Sequence, residues 1–215
     1  MTLPRLLVLT DRRLCRRPLP EVVAAAVDGG ARAVVLREKD LPAAQRSDLA
    51  DAVRAVLAPV GGQLILAGTS VPGPAVHLAV GEAVPVPRPV LVGRSCHNAA
   101  EVARAAAEDS DYVTVSPVHP SPSKPGYGPA LGTVGLGALV RAAGASPVHL
   151  SGSRGARPAP AVYALGGVTA DNAASCMAAG AAGVAVMGAV MRAARPDRCV
   201  EDLLAALTET LESPC

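Results

Sequence analysis

Short runs of branched apolar residues recur along the chain, and most are followed by an alanine-rich stretch whose apolar positions fall at helical spacing. The runs predict strands over residues 5–10, 33–37, 63–67, 75–78, 90–93, 112–116, 162–165 and 183–187. The intervening stretches predict helices over 20–29, 42–58, 98–108, 134–143, 171–179 and 199–212, and the polar turn from Thr169 to Asn172 reads as a helix cap. Strands alternating with helices specify a parallel sheet. Eight strands in 215 residues specify a single (β/α)8 TIM barrel over residues 1–215. Between strands three and four only residues 68–74 intervene, with two prolines and two glycines, so that connection is shortened and has no room for a helix. Residues 146–160, rich in Gly, Ser, Pro and Arg, read as a surface insertion, with residues 147–150 as an optional short strand.

Composition narrows the function. Half of the residues are hydrophobic but there is no Phe or Trp, so the core is built from Ala, Val, Leu and Ile. A net charge of +2 with scattered arginines gives no concentrated basic face, and the scarcity of aromatics removes base stacking, so nucleic acid is not an expected partner. Small anionic molecules fit better. The five cysteines (Cys15, Cys96, Cys176, Cys199 and Cys215) are widely spaced and show no metal-ligand pattern, which reads as free thiols. The apolar run at residues 1–10 is short for a signal peptide. No segment approaches the roughly 20 apolar residues of a membrane span, and a cytoplasmic protein without membrane partners is expected.

In a parallel barrel the chemistry is expected where the loops leave the C-terminal ends of the strands. Gly166 and Gly167 follow strand seven, and Met187 and Gly188 follow strand eight. Glycines there let backbone N–H groups approach a phosphate, or serve only as tight turns. The strand-six loop offers His119, Ser121, Ser123 and Lys124 between prolines, which suits an anionic ligand and a proton shuttle, or is an exposed Pro/Ser loop. Ser95 and His97 lie two apart at the end of strand five and can face the barrel mouth together, with hydrogen bonding to ligand favoured over nucleophilic catalysis. His77 reads as a satisfied core histidine. In the strand-two run Arg37-Glu38-Lys39-Asp40, Arg37 and Lys39 either clamp a phosphate or carboxylate or form local ion pairs.

Taken in order, Leu7-Val8-Leu9-Thr10-Asp11, Leu36-Arg37-Glu38-Lys39, Gly93-Arg94-Ser95-Cys96-His97, Asp111-Tyr112-Val113, the Pro/Ser/Lys loop, Leu165-Gly166-Gly167-Val168 and residues 180–187 resemble the superfamily of thiamine phosphate synthase and thiazole tautomerase. The resemblance covers most of the chain. It implies that Arg37, Lys39, Ser95, Ser121, Ser123 and Lys124 face a phosphorylated ligand, with Gly166, Gly167, Met187 and Gly188 around a thiazole phosphate. Synthases of the superfamily carry an Asn-Asp pair after strand three and a Gly-Gln-Glu-Asp run after strand four, whose aspartates hold magnesium. Here the first reads Ala67-Gly68-Thr69, and the second retains only Glu82 as a carboxylate. Tautomerases lack that metal pair and use a histidine of the strand-six loop as base. Pro117 aligns with it here, and His119 follows two residues later. The Gly-Arg-Ser-x-His motif and the Ala-Val-Met-Gly end of strand eight also look closer to that branch.

The expectation is therefore a cofactor-free, metal-independent thiazole tautomerase, an isomerase that aromatises a carboxythiazole phosphate, with His119 or His97 moving the proton. Two alternatives stay open. One is thiamine phosphate synthase, joining hydroxymethylpyrimidine diphosphate to thiazole phosphate with release of pyrophosphate and using Mg with Glu82; the other is a barrel that binds phosphate ligands without catalysis. A homodimer is compatible with either.

Overall fold

The computed structural model describes residues 3–121, 128–145 and 158–209. Eight strands, all parallel, pair in chain order and close when β8 meets β1. They are β1 (Leu6–Leu9), β2 (Ala33–Leu36), β3 (Gln63–Ala67), β4 (Ala75–Leu78), β5 (Leu91–Cys96), β6 (Tyr112–Val115), β7 (Ala161–Leu165) and β8 (Gly183–Val186). The helices are α1 (Leu19–Asp28), α2 (Ala43–Leu57), α3 (Ala99–Ala107), α4 (Gly132–Ala145), α5 (Ala170–Ala178), α6 (Gly188–Met191) and α7 (Pro196–Glu209). The expected TIM barrel is the observed fold. The short helix α6 and a 3-10 turn at Arg12–Leu14 were not legible as periodic segments. The proposed strand over residues 147–150, most of the 146–160 insertion, Ser123, Lys124 and Cys215 lie outside the described residues.

Helix α1 shows why the outer layer forms. Its buried residues Leu19, Val22, Val23, Ala26 and Val27 recur at the spacing of one helical face and lie against the barrel exterior. In the strands the burial is two-sided. One set of alternating residues (Val8, Val34, Val113, Val184) belongs to the layer between sheet and helices, and the other (Leu7, Leu9, Val35, Ile65, Ala185) fills the barrel.

The interior also takes two tyrosines. The Tyr112 ring lies across Gly93 of β5 and the Tyr163 ring across Gly183 of β8, where any Cβ would collide with the rings. The two rings meet edge to face with centroids 5.8 Å apart, and the Tyr163 hydroxyl donates to the Pro4 carbonyl at 2.9 Å.

No helix stands between β3 and β4, as the shortened connection requires, nor between β4 and β5. The outer faces of Val76, Leu78 and Val92 form their own cluster with Val84 of the second connection. Near the lower ends of these strands an open groove of about 280 Å³ is lined by residues including Leu64, Leu66, Pro74 and Val90. Two buried arginines fasten the region. Arg46 of α2 bonds the carbonyls of Leu36 and Ala67 and the Ser70 hydroxyl, while Arg94 of β5 donates to the carbonyls of Ala79 at 2.9 Å and Glu82 at 2.8 Å. Strand β5 consequently runs three residues beyond the Gly93 end expected from sequence, because its outward Arg94 is satisfied by the neighbouring loop.

Candidate functional site

At the C-terminal ends of the strands, a cavity of about 160 Å³ is lined by Thr10, Asp11, Arg13, Arg37, Glu38, Lys39 and Asp40. The charges in it are largely sorted into pairs. Arg12 donates to Glu38 at 3.1 Å and to both oxygens of Asp40 at 2.8 Å, holding the Asp40 carboxyl down at about 2. Arg13 pairs with Asp11 at 3.1 Å. Lys39 reaches the other way, to Glu82. Among the described residues no carboxylate pairs with Arg37, whose guanidinium crosses to Met187 after β8, Nη1 standing 3.1 Å from Sδ, while its backbone N–H donates to Thr10 Oγ1. Of the strand-two cations, Arg37 is thus the one without an ion-pair contact among the described residues, although it lies near enough to Asp11 to help hold that carboxyl down.

Within the barrel below this rim runs a hydrogen-bonded line of side chains. Tyr112 Oη is 3.0 Å from His77 Nδ1, and His77 Nε2 is 2.9 Å from Ser95 Oγ. Burial, with Lys39, Arg37 and Arg94 nearby, pushes His77 down to about 4 against the opposing charge of Glu82, so the imidazole is neutral. Burial likewise raises the Tyr112 hydroxyl well above its ordinary value. Thr114 pairs in register with Ser95 and is fully buried, and its Oγ1 has no partner among the described residues. His77 is the satisfied core histidine expected, but its link to Ser95 was not legible. The signal was the parity of His77, Ser95, Tyr112 and Thr114, each on an inward position of adjacent strands.

Those of the other candidate residues that are described lie on loops leaving the same ends of the strands. His97 Nδ1 is 2.8 Å from the Ser116 carbonyl, and the His97 backbone N–H donates to Glu101 at 2.6 Å. His119 turns toward the outer layer, Nε2 lying 3.8 Å from Sγ of buried Cys176 on α5. Ser121 ends the described part of the strand-six loop. Gly166 and Gly167 both have positive φ, at 96° and 62°, and added Cβ atoms would strike Pro117, His119 and Pro120 of the strand-six loop. Their glycine character is thus required by this packing, whatever they bind. Asn172 braces the turn, its Oδ1 accepting from the Thr169 N–H at 3.0 Å and its Nδ2 donating to the Gly167 carbonyl at 3.0 Å, so the expected cap is present. Gly188 opens α6 directly after Met187.

The residues present do not fit a protein-held magnesium. Glu82 is engaged by Lys39 and by the Ala79 N–H, and Gly68 occupies the place facing it. No cluster of three or more His, Cys, Asp or Glu able to hold a metal occurs among the described residues. Partial burial works against ionisation of Glu82, but the Ala79 N–H and the Lys39 ammonium outweigh it and hold the carboxyl below its ordinary value.

The comparisons with known proteins decide between the branches of the superfamily. A family model described as thiamine monophosphate synthase matches residues 6–190. A protein of Geobacter sulfurreducens named a putative thiamine-phosphate synthase is 36% identical over 214 residues, covering 94% of this chain and 93% of its own. A thiamine-phosphate synthase of Methanoculleus marisnigri is 35% identical over 198 residues, covering 86% and 87%. A solved thiamine phosphate pyrophosphorylase from Pyrococcus furiosus superposes with a TM-score of 0.77 at 25% identity, covering 96% of each chain. These matches correct the expectation of a tautomerase branch and of an isomerase. The physical reason is visible in the motif that favoured it: Gly93 makes room for Tyr112, Arg94 fastens the following loop and Cys96 is buried in the outer layer, so these identities answer to packing and do not discriminate between reactions. The chain belongs to the thiamine monophosphate synthase family.

Proposed function

We propose that the protein is a transferase that joins hydroxymethylpyrimidine diphosphate to thiazole phosphate with release of pyrophosphate. The observation that carries this reading is the family match over residues 6–190, together with synthase-named relatives that cover most of both chains. In the coupling, the C–O bond to the diphosphate breaks and pyrophosphate leaves with the electron pair, while the thiazole nitrogen supplies the pair of the new C–N bond. Both substrates are anions, and the mouth supplies cations and donors for them. Arg37 lies without a carboxylate partner among the described residues, Lys39 is held by a displaceable one, and Ser95 stands half-buried at the end of β5. The Gly166–Gly167 turn and the start of α6 at Gly188 frame the opposite rim, where the thiazole phosphate is assigned. Ser121, Ser123 and Lys124 are assigned to the same ligands through the strand-six loop. Among the described residues no cluster able to hold magnesium occurs, so none of them is assigned to it.

The protein is assigned to the cytoplasm as one barrel unit. In support, the four cysteines within the described residues are free, and no helix among those residues is long and apolar enough to cross a membrane. The test is a coupling assay on folded protein with both substrates, with and without magnesium, following thiamine phosphate and pyrophosphate together. Equimolar appearance of the two products is expected. Saturable binding of thiazole phosphate with no product under either condition overturns the enzyme reading in favour of a binding protein.

A further inference from the structure

The line Tyr112–His77–Ser95 has a direction, and the direction follows from where its protons can go. Tyr112 is wholly buried, and among the described residues its hydroxyl has no hydrogen-bond partner other than His77 Nδ1, at 3.0 Å. His77 is 4% exposed and neutral, so one ring nitrogen donates and the other accepts. If Nδ1 carried the proton it would donate to Tyr112 Oη, and the phenolic proton would be left buried without an acceptor. Leaving such a donor unsatisfied disfavours that tautomer by roughly tenfold or more. With the proton on Nε2, Tyr112 donates to Nδ1 and Nε2 donates to Ser95 Oγ at 2.9 Å. Ser95 then accepts from within the barrel and has its own proton to give. Being half-buried at the end of β5, it can give that proton to the mouth, an outlet that Tyr112 lacks.

We propose that Tyr112 is a positioning residue which, through His77, fixes Ser95 as a hydrogen-bond donor to the mouth, so that the site selects at that point a ligand atom that accepts and does not donate, such as an ionised phosphate oxygen. The ligand half of this rests on the reading that the mouth takes phosphorylated substrates; the tautomer half does not. Gly93 belongs to the same device. An added Cβ there would sit in the Tyr112 ring, so glycine at this position is what lets the phenol of β6 reach across β5 to a histidine on β4.

The experiment uses 15N-histidine-labelled full-length protein and reads the ring nitrogens by NMR. His77 is identified among the four histidines by the ring-nitrogen signals that His77→Asn removes. The expected result is the Nε2–H tautomer in the unaltered protein and a shift of roughly tenfold or more toward Nδ1–H in Tyr112→Phe, where Ser95 turns to donate inward. In parallel, calorimetry with inorganic pyrophosphate should show affinity falling roughly tenfold in Tyr112→Phe and similarly in Ser95→Ala, with no further loss in the double variant. A His77 Nδ1–H tautomer in the unaltered protein overturns the proposal, and that spectrum needs no variant to fold. A switched tautomer with unchanged pyrophosphate affinity overturns the link to the ligand. Neither readout requires turnover, so failure here is distinguishable from failure of the coupling assay.

Discussion

Lys39, at the end of β2, and Glu82, in the loop beyond β4, face each other beside Gly68, with the ammonium nitrogen 3.2 Å from both carboxylate oxygens. On the proposed reading, Glu82 therefore occupies a cation that an incoming anion would use. The two side chains are 43% and 34% exposed, and ion pairs of that kind are worth about 0–1 kcal/mol, so a polyanion can displace the carboxylate. Glu82→Gln should accordingly strengthen binding of inorganic pyrophosphate measured in EDTA, by up to about fivefold. Magnesium that strengthens pyrophosphate binding in the unaltered protein but not in Glu82→Gln would show instead that Glu82 serves a metal.

His77 also makes stability depend on pH. Its pKa is about 4 in the folded barrel against 6.5 in the unfolded chain, so below 6.5 the unfolded state takes up a proton that the folded state refuses. Lys39, Arg37 and Arg94 favour the neutral ring and Glu82 opposes them. The stabilisation is complete above 6.5 and is lost as pH falls through the folded value, amounting to about 3 kcal/mol over the window. Urea unfolding at steps between pH 7.5 and 4.5 should show this slope, and His77→Asn should lose it even where the variant is less stable throughout. A flat profile in the unaltered protein would mean that the ring titrates as in the unfolded chain, and stability rising as pH falls would mean that it is charged in the fold.

Two glycines should respond oppositely to alanine. At Gly93 the new Cβ would fall in the Tyr112 ring, with backbone strands on either side and no flexible end to yield. Overpacking of this kind costs about 1–3 kcal/mol and would displace the hydroxyl from His77. Gly144 lies near the end of α4 with nothing within 4 Å of the added atom. Gly144→Ala should therefore be neutral or stabilise by up to about 1 kcal/mol through helix propensity. Denaturant midpoints of the two variants, measured side by side, check both signs.

The same residues explain what the sequence could and could not disclose. Period and punctuation suffice for β3 and β4, whose ends fall where expected, and for α3, which Asn98 caps by accepting from the Glu101 N–H. They fail at β5, where Arg94 looks like a loop residue until the carbonyls of Ala79 and Glu82 are known to receive it. The rim run Arg37-Glu38-Lys39-Asp40 was legible as charged, but its sorting was not. Glu38 and Asp40 go to Arg12, Lys39 goes to Glu82, and Arg37 goes to Met187, because each partner comes from another strand's loop. His77 and Tyr112 are separated by a whole strand, so only the closed sheet brings them together.

Arg46 carries the last prediction, because it supports the rim from beneath without belonging to it. Its guanidinium is 1% exposed and bonds the carbonyls at the ends of β2 and β3 and the hydroxyl of Ser70, in the connection that has no helix to hold it. Burial lowers its pKa against the opposing charges of Glu38 and Glu82, so the charge is kept at some cost and its value lies in the bonds it makes. Arg46→Met would keep most of the stem packing and leave the buried carbonyls of Leu36 and Ala67 without these donors, at a cost of about 2–4 kcal/mol. Arg46→Lys should recover only part of this, because the three donors of an ammonium radiate from one nitrogen and do not reproduce the reach of two guanidinium nitrogens to acceptors on two strands and a loop. Since Arg37 follows Leu36 directly, with Lys39 two residues beyond it, and Gly68 follows Ala67, both variants should also raise KM in the coupling assay more than they lower kcat. A fall in kcat with unchanged KM would place Arg46 outside the support of the anion rim.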